Sequence, residues 1–447
     1  MELYECKINV SPLQVLGLSF VAIKVYQYSD NNDFYSLSLV NSLMAKHAKK
    51  REAFSGKPMT LKMNITNEDL AQFCKNPKMI TKLMLIYCRK LTNVDCLSNI
   101  SVRSLNLTCC KKLKKIKIRN NKKLRTLIIK NCSNIFYINI EYISLLRVLN
   151  MSGCPGLYDI TYLRNLYNIR ELDMSDCGEL ENISPLYGLS MLHTLILRNC
   201  KKLEDILVLY FTRNLRTLDL SLCERLKDIS VLGWIPSLRY LNLYGCWQLE
   251  DTSALSWITD LEYLKVERCW KLKNMSDMKW NKNVKSLNLG HLYQLRDISF
   301  LSYISNLHYL NLTGCWQLED ISVLGNLSML HTLYLKKCYR ITDFSILSSL
   351  KKLSFLDLCE CSELTDLSAL LNLKKLHTLN LKKCWKLTDI TILGNLPILH
   401  TLNLYGCLGL TDLSVLKYID RLKIVNIRFC NYLVHLLELN DSIIIFK

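Results

Sequence analysis

The stretch LHTLNLKKCWKLTDITILGNLPI, residues 376–398, is followed without a gap by LHTLNLYGCLGLTDLSVLKYIDR, residues 399–421. Leucines, a cysteine and an aspartate fall in the same slots. Taking the cysteine as origin, the register extends both ways through Cys88, Cys110, Cys132, Cys154, Cys177, Cys200, Cys223, Cys246, Cys269, Leu292, Cys315, Cys338, Cys361, Cys384, Cys407 and Cys430. These are 16 units, 15 with cysteine at the origin; the first three steps are 22 residues and every later one is 23. Each unit reads roughly L-x-x-L-x-L-x-x-C-x-x-L-x-D-I-S-x-L-x-x-L. Self-similarity at this period marks a solenoid, in which no unit buries a core alone and stacked neighbours complete it.

Within a unit, the L-x-L before the origin alternates with period two, as a strand does. Leu379 and Leu381 are expected to point inward and Asn380 outward. Seven places after the origin a Ser or Thr (Ser230, Ser299, Ser322, Ser368, Thr391) precedes a short apolar run, the placement of a helix cap. Five places after it stand ten aspartates, from Asp159 through Asp228 and Asp320 to Asp412. A recurring acid without a paired base reads as a turn that accepts backbone N–H bonds, not as catalysis.

The cysteine suits a buried ladder, being small, apolar and a weak hydrogen-bonding group. Zinc binding is the alternative, but the ladder has no CxxC pair, and neither Cys359–Cys361 nor Cys109–Cys110 has zinc spacing. So many thiols point to a reducing, intracellular compartment, cytoplasm or nucleus. No metal and no cofactor is expected.

The pattern resembles the leucine-rich repeat, L-x-x-L-x-L-x-x-N/C-x-L, over about residues 80–435. Its second half is similar to short internalin-type repeats, and its cysteine to the repeats of F-box proteins. The resemblance implies an α/β solenoid, a horseshoe with parallel strands on the concave face. Residues 59–435 would form it, 436–447 would close its C-terminal end, and 1–58 would be a small helical domain.

The composition agrees with a long repeat array. Of 447 residues half are hydrophobic, with only 14 glycines and 7 prolines, which argues against disorder and long linkers. The net charge of +19 permits nucleic acid, an anionic surface or an acidic protein as partner. The apolar run from Val10 to Tyr26 is short for a membrane span and is interrupted by Gln14 and Lys24. The acids before it disfavour a secretion signal, so it reads as part of a folded helical segment.

Residues 33–50, DFYSLSLVNSLMAKHAKK, resemble the second half of an F-box in Asp33, Ser38, Leu39 and Val40. Met44 stands in place of the usual tryptophan, and Ser11-Pro12 in place of the opening Leu-Pro. The resemblance implies docking on the Skp-type adaptor of a cullin–RING ubiquitin ligase through Pro12, Leu13, Leu16, Leu39 and Val40. A helical cap over the solenoid's end is the other reading of the same residues.

Three sets of exposed slots remain. One place after the origin stand Trp247, Trp270, Tyr293, Trp316, Tyr339 and Trp385. Earlier repeats have Lys111, Ser133, Pro155, Gly178, Lys201 and Glu224 there, so the fold does not demand a ring. With Tyr240, Tyr244, Tyr263, Tyr309, Tyr334, Phe355 and Tyr405 they are expected to form one aromatic patch along the concave face and its rim, a protein-binding surface of the usual composition. Alternatively, the rings pack on one another under a loop. Seven places before the origin, 13 of the 16 repeats carry Lys, Arg or His, including five of the eight histidines. This column contacts an acidic partner or a phosphate backbone, or is a solvated edge. Residues 110–130 hold ten Lys or Arg, among them Lys111, Lys112, Lys114, Lys115, Lys117 and Arg119, and no aromatic residue. That composition suits electrostatic docking rather than sequence reading.

No phosphate loop, metal constellation or nucleophile–base pair is present, so no enzyme is expected. The leading expectation is a monomeric protein-binding solenoid, in its sharpest form a ubiquitin-ligase substrate receptor. A stand-alone scaffold and a binder of nucleic acid or anionic surfaces are the alternatives.

Overall fold

A computed structural model describes residues 59–61, 64–75, 80–272, 275, 282–433 and 444–446. Residues 1–58, with the F-box-like stretch and Pro12, Leu13, Leu16, Leu39 and Val40, lie outside the described residues. The rest is a leucine-rich-repeat solenoid with parallel strands lining its concave face.

Each repeat contributes a three-residue strand centred five places before the origin. After β1 (Met59–Thr60) come β2 (Lys82–Met84), β3 (Ser104–Asn106), β5 (Thr126–Ile128) and β7 (Val148–Asn150). One strand per repeat then follows to β19 (Ile424–Asn426), and β20 (Ile444–Phe446) pairs beside it. These 18 strands form one parallel sheet in sequence order, each central leucine paired with its counterpart one repeat on. The alternation holds as read: Leu379 and Leu381 are fully buried and Asn380 half-buried.

Beyond each strand the backbone bends sharply. The residue just before the origin has φ between 56° and 71° in all 16 repeats, and only four of these are glycine: Gly153, Gly245, Gly314 and Gly406. Twelve non-glycine residues, Leu222 and Lys383 among them, thus adopt the left-handed conformation that L-residues avoid. Cooperative stacking holds them there. The Leu222 N–H, for example, donates to the Tyr244 carbonyl of the next repeat at 2.7 Å.

The opposite side is built from short 3₁₀ turns such as Ser230–Trp234 and Ser322–Asn326. Here the cap expectation is corrected. The Ser or Thr is the first residue of the turn, and its side chain caps nothing. The aspartate two places earlier does that work: Oδ1 of Asp228 accepts the Ser230 N–H at 2.7 Å. All ten aspartates of the column make this bond.

Two of the three 22-residue repeats differ. At origins 110 and 132 the 3₁₀ turn is replaced by β4 (Lys115–Lys117) and β6 (Tyr137–Asn139), a separate two-stranded parallel sheet. The first 22-residue repeat, at origin 88, keeps its turn (Asp95–Asn99), so length alone does not set the difference. Before the first repeat, α1 (Asn67–Cys74) starts on a capping box between Thr66 and Asp69. It buries Leu70 and Cys74, and Asn67 bonds Thr92 and Asn93 of the first repeat.

The cysteine column is a hydrogen-bonded ladder. From Cys110 to Cys430, each origin thiol donates to the carbonyl of the residue that follows the strand in the preceding repeat, as Cys246 does to Leu220 at 3.2 Å and Cys407 to Leu381 at 3.0 Å. Leu292 fills its slot fully buried but supplies no thiol. Burial raises every ladder thiol from Cys132 onward, Cys154 to about 11 and Cys223, Cys269 and Cys338 to about 12. Such thiols are protonated and inert.

Candidate interaction surfaces

The sheet side carries a column that sequence reading did not single out. Four places before the origin, Asn or Asp accepts the N–H two residues on, as in Asn106, Asn150, Asp219, Asn311, Asp357 and Asn403. The bond folds the chain into the left-handed residue that follows. Some of these side chains also join across repeats, Asn150 to Asp173 at 2.8 Å and Asn242 to Asp219 at 3.0 Å. The recurring Asn of L-N-L was the available signal; it is a turn-former rather than a free recognition group.

The structure divides the expected aromatic patch into groups. On the strands, Tyr240 and Tyr263 are register neighbours with ring centroids 6.5 Å apart. Ser286 separates them from a second cluster, in which Tyr334 lies 5.7 Å from Tyr309 and 4.8 Å from Phe355. Burial pushes the Tyr309 phenol up strongly and the Tyr334 phenol to about 12. Along the rim after the strands, Trp247 stacks on Trp270 at 5.1 Å, and Tyr293 on Trp316 at 4.3 Å with Tyr339 beyond it. Trp385 lies two repeats further on and is half exposed. Tyr244 carries the Arg268 guanidinium over its ring at 5.6 Å, and Tyr405 meets Phe429 at 5.0 Å. The strand rings largely cover one another, while the rim rings keep their edges in solvent: Trp270, Trp316, Tyr339 and Trp385 are 37–50% exposed.

The basic column runs along the strand entrance. His308 stacks on His331 at 5.3 Å and His377 on His400 at 4.7 Å. Burial first, then the stacked partner's charge, lowers His377. Glu262 breaks the column and pairs with both neighbours, Lys285 at 2.8 Å and Arg239 at 3.9 Å.

Lys111, Lys112, Lys114, Lys115, Lys117 and Arg119 are all exposed. Lys115 and Lys117 lie on β4, away from the main sheet, flanking the buried Ile116. The next repeat supplies the aromatic residue that this segment lacks: Lys115 sits 5.6 Å over Phe136. Residues 82–147 contain fifteen Lys or Arg and two acids, Asp95 and Glu141. Among the described residues, Arg119–Glu141 is the one ion pair in that region.

Among the described residues no group of His, Cys, Asp and Glu could hold a metal ion, and no helix is long and apolar enough to cross a membrane. Sequence reading also missed the 3₁₀ side. Phe211, Trp234, Trp257 and Tyr303 share one slot, eleven places after the origin, where most other repeats carry Asn, Gly or Ser, and with Tyr167 and Tyr187 they are exposed rings.

The BspA-type leucine-rich repeat region matches residues 151–273 and 289–411 in six copies. The chain belongs to the BspA-type leucine-rich repeat family. The match breaks close to Leu292, the origin without a thiol, and begins after the basic 22-residue repeats. No curated protein matches the chain. Among solved structures, an internalin of Listeria monocytogenes, InlF, is similar at 26% identity and a TM-score of 0.53, over 62% of this chain and 82% of that one. A leucine-rich repeat protein of Leptospira interrogans is similar in fold at 17% identity and a TM-score of 0.54, over 81% of this chain and 99% of that one.

Proposed function

We propose that this BspA-type repeat protein is an intracellular recognition solenoid with no chemistry of its own, holding a protein partner across the aromatic rim of its sheet side. One observation carries the reading. Five consecutive repeats, from Trp247 to Tyr339, place a ring in a slot where earlier repeats accept Lys, Ser, Pro, Gly or Glu, and these rings stay partly exposed. Partly exposed Trp and Tyr on a rigid frame are the usual anchors of protein interfaces. The finer form of the reading, a substrate receptor docked on a Skp-type adaptor, rests on the sequence of residues 1–58. Co-purification from eukaryotic cells tests both parts. The full chain is compared with a Leu39→Asp, Val40→Asp double variant and with a Trp247→Ala, Trp316→Ala double variant. Adaptor lost only with the first, and a partner lost only with the second, support the reading; no adaptor with the well-folded full chain removes the ligase part.

A second reading has its own observation, the fifteen cations against two acids over residues 82–147. These repeats suit a polyanion held by charge alone. Affinity for duplex DNA should then fall steeply with salt, because each neutralised phosphate releases a counterion.

A further inference from the structure

Two cysteines stand off the ladder and beside each other. Cys74 is the last residue of α1, and Cys96 is the second residue of the first 3₁₀ turn, Asp95–Asn99, on which α1 packs. Their thiols share a hydrogen bond. Cys74 is buried. Cys96 is partly exposed, and among the described residues it is the one cysteine that is not buried.

A second pair in the same repeat separates proximity from access. Cys88 and Cys110, the first two origins, also share a thiol–thiol hydrogen bond, but both are fully buried. Of the two pairs, Cys74–Cys96 alone offers a sulfur to solvent. The shared bond holds the Cys96 thiol below its ordinary value, against burial and the nearby Asp95 carboxylate, and pushes Cys74 up. A thiol that is exposed, drawn towards its thiolate and next to a second thiol has the three properties of an oxidant-sensitive cysteine with its resolving partner.

The place of the pair gives a bond between them a consequence. The first unit of a solenoid has a stacked neighbour on one side only and depends on its cap. The start of α1 is already tied to that unit: Asn67 donates to Oγ1 of Thr92 at 2.7 Å and accepts the N–H groups of Thr92 and Asn93 at 3.1 and 3.2 Å. The other end of the helix meets the unit where Cys74 meets Cys96.

We propose that Cys74 and Cys96 form a reversible disulfide that staples α1 to the first repeat under oxidising conditions. Hydrogen peroxide is the oxidant. The Cys96 thiolate attacks one peroxide oxygen, the O–O bond breaks, and the hydroxide that leaves takes up a proton to become water. Cys96 is then a sulfenic acid. The Cys74 sulfur attacks it; the S–S bond forms, the S–O bond breaks, and the hydroxyl leaves with the Cys74 proton as a second water. The two sulfurs together lose two electrons and the peroxide gains them. Thiol exchange with glutathione reverses the bond, so in a reducing compartment it is transient. The staple is independent of what the aromatic rim or the basic repeats bind.

The test treats the reduced full chain with hydrogen peroxide, blocks free thiols with N-ethylmaleimide and maps linked peptides by mass spectrometry. Peptides carrying Cys74 and Cys96 should be joined and should separate with dithiothreitol, while those carrying Cys88 and Cys110 stay unlinked. Hydrogen exchange in α1 should slow at least about tenfold in the oxidised chain, since the bond closes a loop of about 20 residues. Cys74→Ser should abolish the link and leave a sulfenic acid at Cys96 that dimedone traps. Cys96→Ser should leave Cys74 unoxidised. The link is read on the unsubstituted chain, so a variant that fails to fold does not decide the outcome. Free Cys74 and Cys96 after peroxide, a bridge from Cys96 to any other cysteine, or equal linkage of Cys88 and Cys110 overturns the proposal. So does unchanged exchange in α1 with the bridge formed, since the bond would then staple nothing.

Discussion

The two long sides of the solenoid both carry aromatic rings and use them differently. On the sheet side Tyr309, Tyr334 and Phe355 lie against one another, and burial raises the phenols. On the 3₁₀ side Trp234 and Trp257 stand 64% and 72% exposed. The cause is geometric. Neighbouring strands are held at ladder spacing, so side chains at strand slots meet their counterparts one repeat on. A turn residue points away from a convex surface and meets less. A ring on a strand therefore serves the fold before it serves a partner; a ring on the rim or on a turn is left for solvent or a partner.

The comparison assumes that both sides rest on one interior, and the largest expected effect tests that. Thiols from Cys132 to Cys430 are raised by burial, whereas unfolded thiols titrate near 8.5. A raised native pKa means that the native chain holds more protons than the unfolded one at alkaline pH. Stability is then full below about pH 8.5 and falls as pH rises through the native values. Each thiol contributes up to about 1.4 kcal/mol per pH unit, so the ladder as a whole sheds on the order of 10 kcal/mol per unit. Unfolding is expected within about one pH unit above 9, given typical total stabilities. Far-ultraviolet circular dichroism and tryptophan fluorescence should change together. Separate transitions would show that the ladder does not couple the two sides.

Next in size is a ring deletion on the sheet side. Tyr309→Ala removes a half-buried ring packed against Tyr334 and should cost about 2 kcal/mol. The midpoint of a urea melt measures it. A loss below that of a turn-side ring would erase the distinction drawn between the sides.

Smaller again is the loss of one turn carboxylate. Asp228→Ala leaves the Ser230 N–H without its acceptor and should cost about 1 kcal/mol. Asp228→Asn should restore most of it, as Asn182 already makes the same bond to Ser184 in its own repeat. Failure of asparagine to rescue would mean that charge, not turn geometry, matters at this slot.

What could be read in advance follows the same division. The cysteine and aspartate columns were legible because a slot filled by one residue type in repeat after repeat can serve only a recurring local need. The Asn380 column was visible as a letter but not as a role, because outward-pointing asparagine reads as surface until its N–H partner is seen. The replacement of turns by β4 and β6 was not legible from repeat length, since the equally short repeat at origin 88 keeps its turn at Asp95–Asn99. Phe211, Trp234, Trp257 and Tyr303 share one slot, eleven places after the origin, but most other repeats carry Asn, Gly or Ser there, so the column reads as turn chemistry. Nor could spacing tell which rings cover each other, since the split at Ser286 depends on register neighbours and not on composition.

The smallest expected effect bears hardest on the comparison. Trp257 is the most exposed tryptophan among the described residues, on a turn adjoining that of Trp234. If turn-side rings contribute nothing to the fold, Trp257→Ala should shift the urea midpoint by no more than about 0.5 kcal/mol, as at ordinary surface positions. It deletes a larger ring than Tyr309→Ala does, so side-chain size predicts the reverse order. A folded-state loss as large as that of Tyr309→Ala would place Trp257 in the packing of the turns and remove the reason to regard that side as free. A flat result leaves a large apolar side chain held in water at no benefit to stability, the condition under which a binding role is the remaining physical reason for its position.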